Sequence, residues 1–360
     1  MRVLQVMAGA AHGGAEAFFT RLVTGLGRAG LNQRAVIRSD TRRTTMLRDS
    51  GIDVAEESFG GLFDWRTQRR LRQHIETYDP DLVLTWMNRA TRHCPRIEPA
   101  KRRFVYAARL GGYYNLKYYE RCDHLIANTE DIGAYIKEEG WPPSRVHVLA
   151  NFVSPGTLPP LERSTQATPD QAPLVLALGR FHRNKAFDIL IDAIAKLPDA
   201  YLWLAGEGPL RRSLENLAAG KGIGDRIRFL GWHDEVSALF AGADVMVCPS
   251  RVEPFGNVVV EAWAHNVPVI AARATGPAAL IKDGSDGLLV PCEDSTALAA
   301  AIRRVTEDAD LAASLTRAGY ARFQQDFAEN VVIEKYLELF DYLVRDRNET
   351  DPMRPRQRSP

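Results

Sequence analysis

The feature that most constrains this chain is a strand, a loop and a helix, repeated along one stretch and then begun afresh after a proline-rich break. "RVLQVMA" (2–8) is a short apolar run, followed by the glycine loop "GAAHGGAE" and an amphipathic stretch from about Ala15 to Ala29 that Gly30 stops. "RAVIR" (34–38), "DLVLTW" (81–86), "RFVYAA" (103–108), "HLIAN" (124–128) and "RVHVLANFV" (145–153) continue the series. Apolar, β-branched runs alternating with helical segments predict a parallel sheet covered on both faces. The segment "SPGTLPPLERSTQATPDQAP" (154–173) holds five prolines and no apolar periodicity, and reads as a linker. Beyond it the alternation restarts with "LVLALGR" (174–180), a helix around 187–196, "AYLWLAGEG" (200–208) and a helix to about 219. "IRFLGW" (227–232), "DVMVCPS" (244–250), a helix from about Asn257, "PVIAA" (268–272) and "GLLV" (287–290) follow.

A length of 360 residues exceeds what one core usually supports, so two α/β domains are expected. The boundaries read from the pattern are 1–160 and 161–328. A helix over 329–346 puts Ile333, Tyr336, Leu337, Phe340 and Leu343 on one face, and 347–360 is a polar tail expected to be disordered. Open α/β sheets bind ligands beyond the carboxyl ends of their strands, so a cleft between the domains is the expected site.

Charge and cysteine usage narrow the class. Residues 1–150 carry 23 Lys and Arg against 17 Asp and Glu, whereas the remainder carries 23 against 28. A basic first half points to an anionic substrate or membrane surface. Its arginines concentrate at Arg66, Arg69, Arg70 and Arg72, and again at Arg102 and Arg103. The cysteines Cys94, Cys122, Cys248 and Cys292 lack CxxC spacing and read as reduced thiols of a cytoplasmic protein without a metal site. No segment approaches the roughly 20 apolar residues of a spanning helix, so membrane contact is expected to be peripheral, on the cytoplasmic face of the inner membrane. Nothing in the sequence points to nucleic acid.

Three clusters carry chemistry. In "SRVEPFGNVVVEAWA" (250–264), Gly256 allows a tight turn and a helix starts near Asn257, whose first amides form an anion site. Glu261, one turn inside, can accept the vicinal hydroxyls of a ribose, and Glu253 on the preceding loop can accept another set. In "LGRFHRNKAFDIL" (178–190), Arg180 and Lys185 place a bidentate fork and a point charge at one strand end, a pair suited to phosphate. In "HGGAE", Gly13 and Gly14 remove side chains where backbone must approach a ligand. Neither GxGxxG nor GxxxxGK[ST] is present, which disfavours a dinucleotide oxidoreductase and a P-loop enzyme.

Together, "HGGAE", "LGRFHRNKAFDIL", "LAGEGPL", "RIRFLGW" and "EPFGNVVVEAWAHNVPVIAARATGPAALIKDGSDGLLV" occur in the order and spacing of retaining glycosyltransferases of family 4, which this chain resembles over nearly its whole length. The resemblance implies the GT-B fold: two Rossmann-like domains facing each other across a cleft, with a final helix crossing back onto the first. It implies a nucleotide-sugar donor (UDP- or GDP-linked) held mostly by the second domain, an acceptor held mostly by the first, and no metal cofactor. Carried over, Arg180 and Lys185 match the pair that neutralises the donor diphosphate, and Glu261 matches the ribose-binding carboxylate. Glu253, with the amides of Phe255, Gly256 and Asn257, matches the group on the donor sugar and phosphate. Gly14 matches the glycine loop near the diphosphate, the loop at Trp232 and His233 lies near the expected base pocket, and Glu207 of "LAGEGPL" is expected to bind the donor.

The chain departs from the family at Arg109, where many relatives carry a histidine near the reacting sugar. Arginine is no base at neutral pH but can stabilise a leaving phosphate or an anionic acceptor; His12 offers a substitute. In the front-side mechanism proposed for such enzymes, the departing diphosphate itself takes the acceptor's proton. A sugar-nucleotide epimerase of the same fold and a non-catalytic nucleotide-sugar-binding subunit are the alternatives. The basic half fits a lipid-linked or phosphorylated glycan, foremost a lipopolysaccharide core or another cell-surface polysaccharide.

Overall fold

The central strands of the first half, Arg2–Met7, Leu82–Trp86 and Val105–Leu110, bury nearly every side chain, as a sheet covered on both faces requires. In this computed structural model, which describes residues 1–10, 13–61, 64–233 and 235–350, the chain forms two units. The first is Met1–Asn151 with the segment from Glu329 onward, and the second is Phe152–Ala328.

The first unit contains β1 (Arg2–Met7), α1 (Gly14–Arg28), β2 (Asn32–Arg38), α2 (Thr41–Asp49), β3 (Asp53–Glu57), α3 (Trp65–Tyr78) and β4 (Leu82–Trp86). α4 (Met87–His93), β5 (Val105–Leu110), β6 (His124–Ala127), α5 (Glu130–Glu138) and β7 (Val146–Val148) complete its sheet. The strands are all parallel, in the order β3-β2-β1-β4-β5-β6-β7, so the winding reverses between β1 and β4. Gln5, the one polar residue inside β1, is fully buried and satisfied: it accepts from Trp86 Nε1 at 3.0 Å and donates to Gln33 at 3.3 Å. The helix starts follow local chemistry, since Asp40, Asp64 and Thr129 accept from amides in the first turns of α2, α3 and α5.

The second unit restarts the same winding. It contains β8 (Leu174–Leu178), α6 (Phe187–Ile194), β9 (Tyr201–Ala205), α7 (Arg211–Gly220), β10 (Ile227–Gly231), α8 (Ser237–Gly242) and β11 (Val245–Cys248). α9 (Asn257–Ala264), β12 (Val269–Ala272), α10 (Thr275–Leu280), β13 (Leu288–Val290), α11 (Ser295–Glu307) and α12 (Ala309–Arg322) follow. Its parallel sheet runs β10-β9-β8-β11-β12-β13, with the reversal between β8 and β11. The last helix, α13 (Glu329–Thr350), then returns to the first unit and packs on α1 and β5. Val332, Ile333, Tyr336, Phe340 and Leu343 are its buried stripe, with Leu337 half-buried beside them. A Cβ at Gly25 would stand 2.7 Å from Ile333 Cδ1, so glycine at that point of α1 lets α13 approach.

Three expectations about boundaries need correction. The first unit ends at Asn151, not at 160. The proline-rich segment 154–173 is built into the second unit: Leu161 donates to Ala238 O at 2.9 Å, Arg163 pairs with Asp244 at 2.7 Å, and Thr168 Oγ1 accepts from Trp203 Nε1 at 3.0 Å. It lacks periodicity because its backbone is irregular, and single backbone and side-chain bonds anchor it instead. The tail also starts later than expected, because α13 runs on through residues 347–350; positions 351–360 lie outside the described residues.

The basic surface also proves smaller than its sequence count. Arg102 is buried, pairs with Asp123 and donates to Arg121 O at 2.9 Å, so it belongs to the interior. By contrast α3 buries Thr67, Leu71 and Ile75 and exposes Arg66, Arg69, Arg70, Arg72 and Trp65, the last 65% accessible. Among the described residues no helix is long and apolar enough to cross a membrane.

Candidate functional site

The second unit sews the ends of three neighbouring strands together by backbone. Beyond β8, Gly179 N–H donates to Ala205 O at 3.0 Å and Phe181 N–H to Glu207 O at 2.9 Å; beyond β9, Gly206 N–H donates to Gly231 O at 2.7 Å. A Cβ at Gly206, where φ is 143°, would lie 1.9 Å from Gly179 O, so this crossing admits glycine alone. The stitching places Arg180, Glu207 and Trp232 at the carboxyl ends of β8, β9 and β10. Arg180 is exposed and makes no hydrogen bond or ion pair with a described residue. Glu207 is engaged by Arg211, one helical turn on, and Trp232 is 54% accessible.

Lys185 closes a short 3₁₀ turn, Arg183–Lys185, whose last amide donates to His182 O at 2.9 Å. From there its ammonium reaches across the winding reversal to an ion pair with Glu253 on the loop after β11. Burial works against the lysine charge, but Glu253, and behind it Glu261, outweigh burial and hold its pKa above the ordinary value. The neighbouring Cys248 is pushed up to about 11, first by burial and then by Glu253, and is therefore an unreactive thiol at neutral pH.

Around Glu253 the loop has little freedom. Gly276 N–H donates to Glu253 O at 2.8 Å, and a Cβ at Gly276 would stand 2.5 Å from that oxygen and from Phe255 O. The Phe255 side chain is buried beside Phe327, with ring centroids 6.3 Å apart, so only its backbone is left to meet a ligand. Gly256 then takes φ 100° and α9 begins at Asn257 without a side-chain cap. The start of a helix is where backbone N–H groups can meet an anion. Glu261 sits in the second turn, half-buried. Arg180, Lys185, Glu253, Asn257 and Glu261 thus share the carboxyl edge of one sheet, at the place where such sheets bind ligands.

In the first unit the expectations fare differently. Glu16 is 9% accessible; its Oε1 accepts from Ala10 N–H at 2.8 Å. A Cβ on Gly9 would come within 2.5 Å of this side chain and one on Gly13 within 2.2 Å. Gly13 therefore makes room for Glu16, whereas Gly14 opens α1 and is exposed. His12 lies outside the described residues. Arg109 is corrected outright. It is 2% accessible, donates to Tyr336 OH at 2.8 Å and to Asn151 Oδ1 at 2.5 Å, and stacks over the rings of Phe18 and Trp86 at 4.6 and 4.8 Å. A guanidinium so enclosed ties α13 and residue 151 to β5.

Two residues escaped the reading of the sequence. Met87 adopts φ 59° where β4 meets α4, beside the reversal of the first sheet, and no composition signal marks such a position. Arg251 joins three loops of the second unit; its place two residues before Glu253 was the available clue. Among the described residues no cluster of three or more His, Cys, Asp or Glu is placed to hold a metal.

With this geometry in view, comparison with known proteins is consistent from end to end. The model of Glycosyltransferase Family 4 matches residues 12–156, and that of Glycosyl transferases group 1 matches 160–322. The lipopolysaccharide core biosynthesis glycosyltransferase LpsD of Rhizobium meliloti is 37% identical over 354 residues, covering 96% of this chain and 100% of that protein. LpsE of the same organism is 34% identical over 330 residues, covering 91% and 95%. Among solved structures, a glycosyltransferase from Rickettsia africae superposes with a TM-score of 0.85 at 20% identity, over 96% of this chain and 99% of that one. Anabaena Alr3699/HepE in complex with UDP-glucose gives 0.82 at 21%, over 95% and 100%.

Proposed function

This chain belongs to the family 4 glycosyltransferases, and from that premise we propose that it moves a hexose from a UDP-sugar to an acceptor in lipopolysaccharide core assembly, with retention of anomeric configuration. The observation that carries the reading is the Lys185–Glu253 pair at the winding reversal of the second sheet, beside the uncapped start of α9 and the exposed Arg180. When a donor arrives, the Lys185 ammonium passes from Glu253 to a phosphate oxygen. Glu253 is then released to accept hydroxyls of the sugar, and Glu261 accepts those of the ribose. As the glycosidic bond to phosphate breaks, Lys185, Arg180 and the α9 amides stabilise the charge that develops on the diphosphate. That diphosphate takes the proton of the attacking acceptor hydroxyl, so no protein base is called for. The LpsD and LpsE names and the UDP-glucose bound by the Anabaena protein support uridine and the lipopolysaccharide core as first choices.

A thermal-shift series with UDP- and GDP-sugars tests the donor half of this proposal. A ligand that binds only the folded state at a hundred times its Kd adds about 2.7 kcal/mol, a rise of several degrees. UDP-sugars are expected to give it; a flat response to every nucleotide sugar sinks the reading.

The acceptor half includes peripheral membrane contact through α3. Its exposed arginines and Trp65 form a cationic face with one aromatic anchor, and each such cation near an anionic surface contributes on the order of 1 kcal/mol. Co-sedimentation with phosphatidylglycerol vesicles at low salt is expected, fading as salt shortens the screening length below roughly 10 Å. Protein that stays in the supernatant at low salt would make a soluble acceptor the better choice.

A further inference from the structure

The two loops that carry Lys185 and Glu253 are held by more than that ion pair. Arg251 grips the Asp188 carboxylate with both ends of its fork, Nη1 to Oδ1 at 2.9 Å and Nη2 to Oδ2 at 2.7 Å. Nη1 also donates to Arg183 O at 2.9 Å, and Nε to Glu293 Oε1 at 2.6 Å. The backbone repeats the connection, because the amides of Arg251 and Val252 both donate to Asn184 O, at 2.8 and 3.2 Å. One side chain thus joins the loop after β8, the loop after β11 and the loop after β13.

We propose that Arg251 is a positioning residue for sugar transfer, fixing the spacing at which Lys185 and Glu253 divide a bound nucleotide sugar between them. The proposal rests on the donor reading given above. Arg251 spends its donors on Asp188, Glu293 and Arg183 O, and acts through the residues it holds. Two of the places it braces adjoin backbone in the left-handed region: Ala186, φ 53°, directly after Lys185, and Glu293 itself, φ 63°. Such conformations persist where surrounding bonds over-determine them. Asp188 responds to the contact: burial works against its charge, yet Arg251, with the backbone amides of Asp188 and Ile189, keeps its carboxyl below the ordinary value. A lysine at 251 would supply the charge without a planar fork able to span Asp188 and Glu293 together.

The need for a brace follows from what Lys185 must do. Its 3₁₀ turn is too short to be rigid alone, and a shift of about 1 Å at reacting groups can cost about a hundredfold in rate. Loss of the brace is therefore expected in donor handling first.

The test compares wild type with Arg251→Gln, Arg251→Lys, Asp188→Asn and Glu293→Gln, measuring donor and acceptor kinetics, UDP binding by calorimetry and thermal melting. Arg251→Gln is expected to lower kcat/KM for the donor about a hundredfold, with raised donor KM, weaker UDP binding and unchanged acceptor KM. Arg251→Lys should recover a small part, and each carboxylate variant should give a partial loss of the same kind. Activity that falls only in proportion to the folded fraction, with wild-type donor KM and UDP affinity, overturns the proposal. If Arg251→Gln does not fold, unchanged donor KM in both carboxylate variants overturns it equally. Wild-type UDP binding is measured first. Its absence overturns the donor reading and this proposal with it, whereas normal wild-type binding with unaltered variants overturns the proposal alone.

Discussion

Replacing Lys185 with alanine should lower sugar transfer about a hundred- to a thousand-fold, the loss expected when one preorganised partner of a developing anion is removed, roughly 3–4 kcal/mol. The expectation comes from where the ammonium stands. It is half-buried, its charge is held by Glu253 and Glu261, and it faces the winding reversal between β8 and β11. Alanine would also leave Glu253 in a half-buried loop without its cation, so a modest fall in melting temperature should accompany the kinetic loss. Lys185→Ala combined with Glu253→Gln separates the two effects: the double variant should regain stability and stay inactive. Transfer by Lys185→Ala within tenfold of wild type would exclude Lys185 from leaving-group stabilisation.

Arg109→Ala should be strongly destabilising, by about 3–5 kcal/mol. The buried Tyr336 hydroxyl loses its donor, at about 1–3 kcal/mol, and the guanidinium's stacking on Phe18 and Trp86 goes with it, at about 2 kcal/mol for a desolvated pair. Burial already raises the Tyr336 pKa, and Arg109 acts in the opposite direction, which shows how closely the two groups are coupled. Urea unfolding measures the loss, and Tyr336→Phe should produce a smaller part of it. The informative comparison is per folded molecule: if the surviving native fraction of Arg109→Ala turns over at the wild-type rate, the residue is structural. A fall in kcat at full occupancy of the fold would return it to the chemistry.

Much of this architecture is legible in the sequence because parallel strands buried on both faces read as continuous apolar runs. "DLVLTW" and "LVLALGR" admit little else, and β4 and β8 lie within them. β3 is missed for the opposite reason: "DVAEE" lies at the sheet edge, only partly buried, and its composition is that of a surface. The candidate donor residues are legible because their chemistry is local. A cation after a strand, a glycine turn and a carboxylate inside the next helix each follow from spacing of a few residues. Arg109 misleads because sequence order places it at the end of a strand, where family relatives bear a reacting group. Its true partners, Tyr336 and Asn151, are 227 and 42 positions away. Gly13 misleads similarly, since the group it stands against is Glu16 of the same chain.

The return of α13 to the first unit has a consequence for how the protein is made. A ribosome delivers the strands β1 to β7 early, yet the helix that covers β5 and α1 emerges only after the whole of residues 152–328. Until then Gly25 and Arg28 of α1 and Arg109 of β5 lack the partners that α13 brings, while the second unit, contiguous in sequence, can complete itself at once. Its two ends are already neighbours, because Val153 bridges Ala328 and Val153 N–H donates to Phe327 O at 3.3 Å. The later-synthesised half can therefore fold before the earlier one, and a nascent chain arrested before residue 329 would hold an incomplete first unit behind a finished second. The same adjacency makes residues 152–328 a cassette that can be exchanged between relatives at those two points, leaving the remainder of the chain uncut.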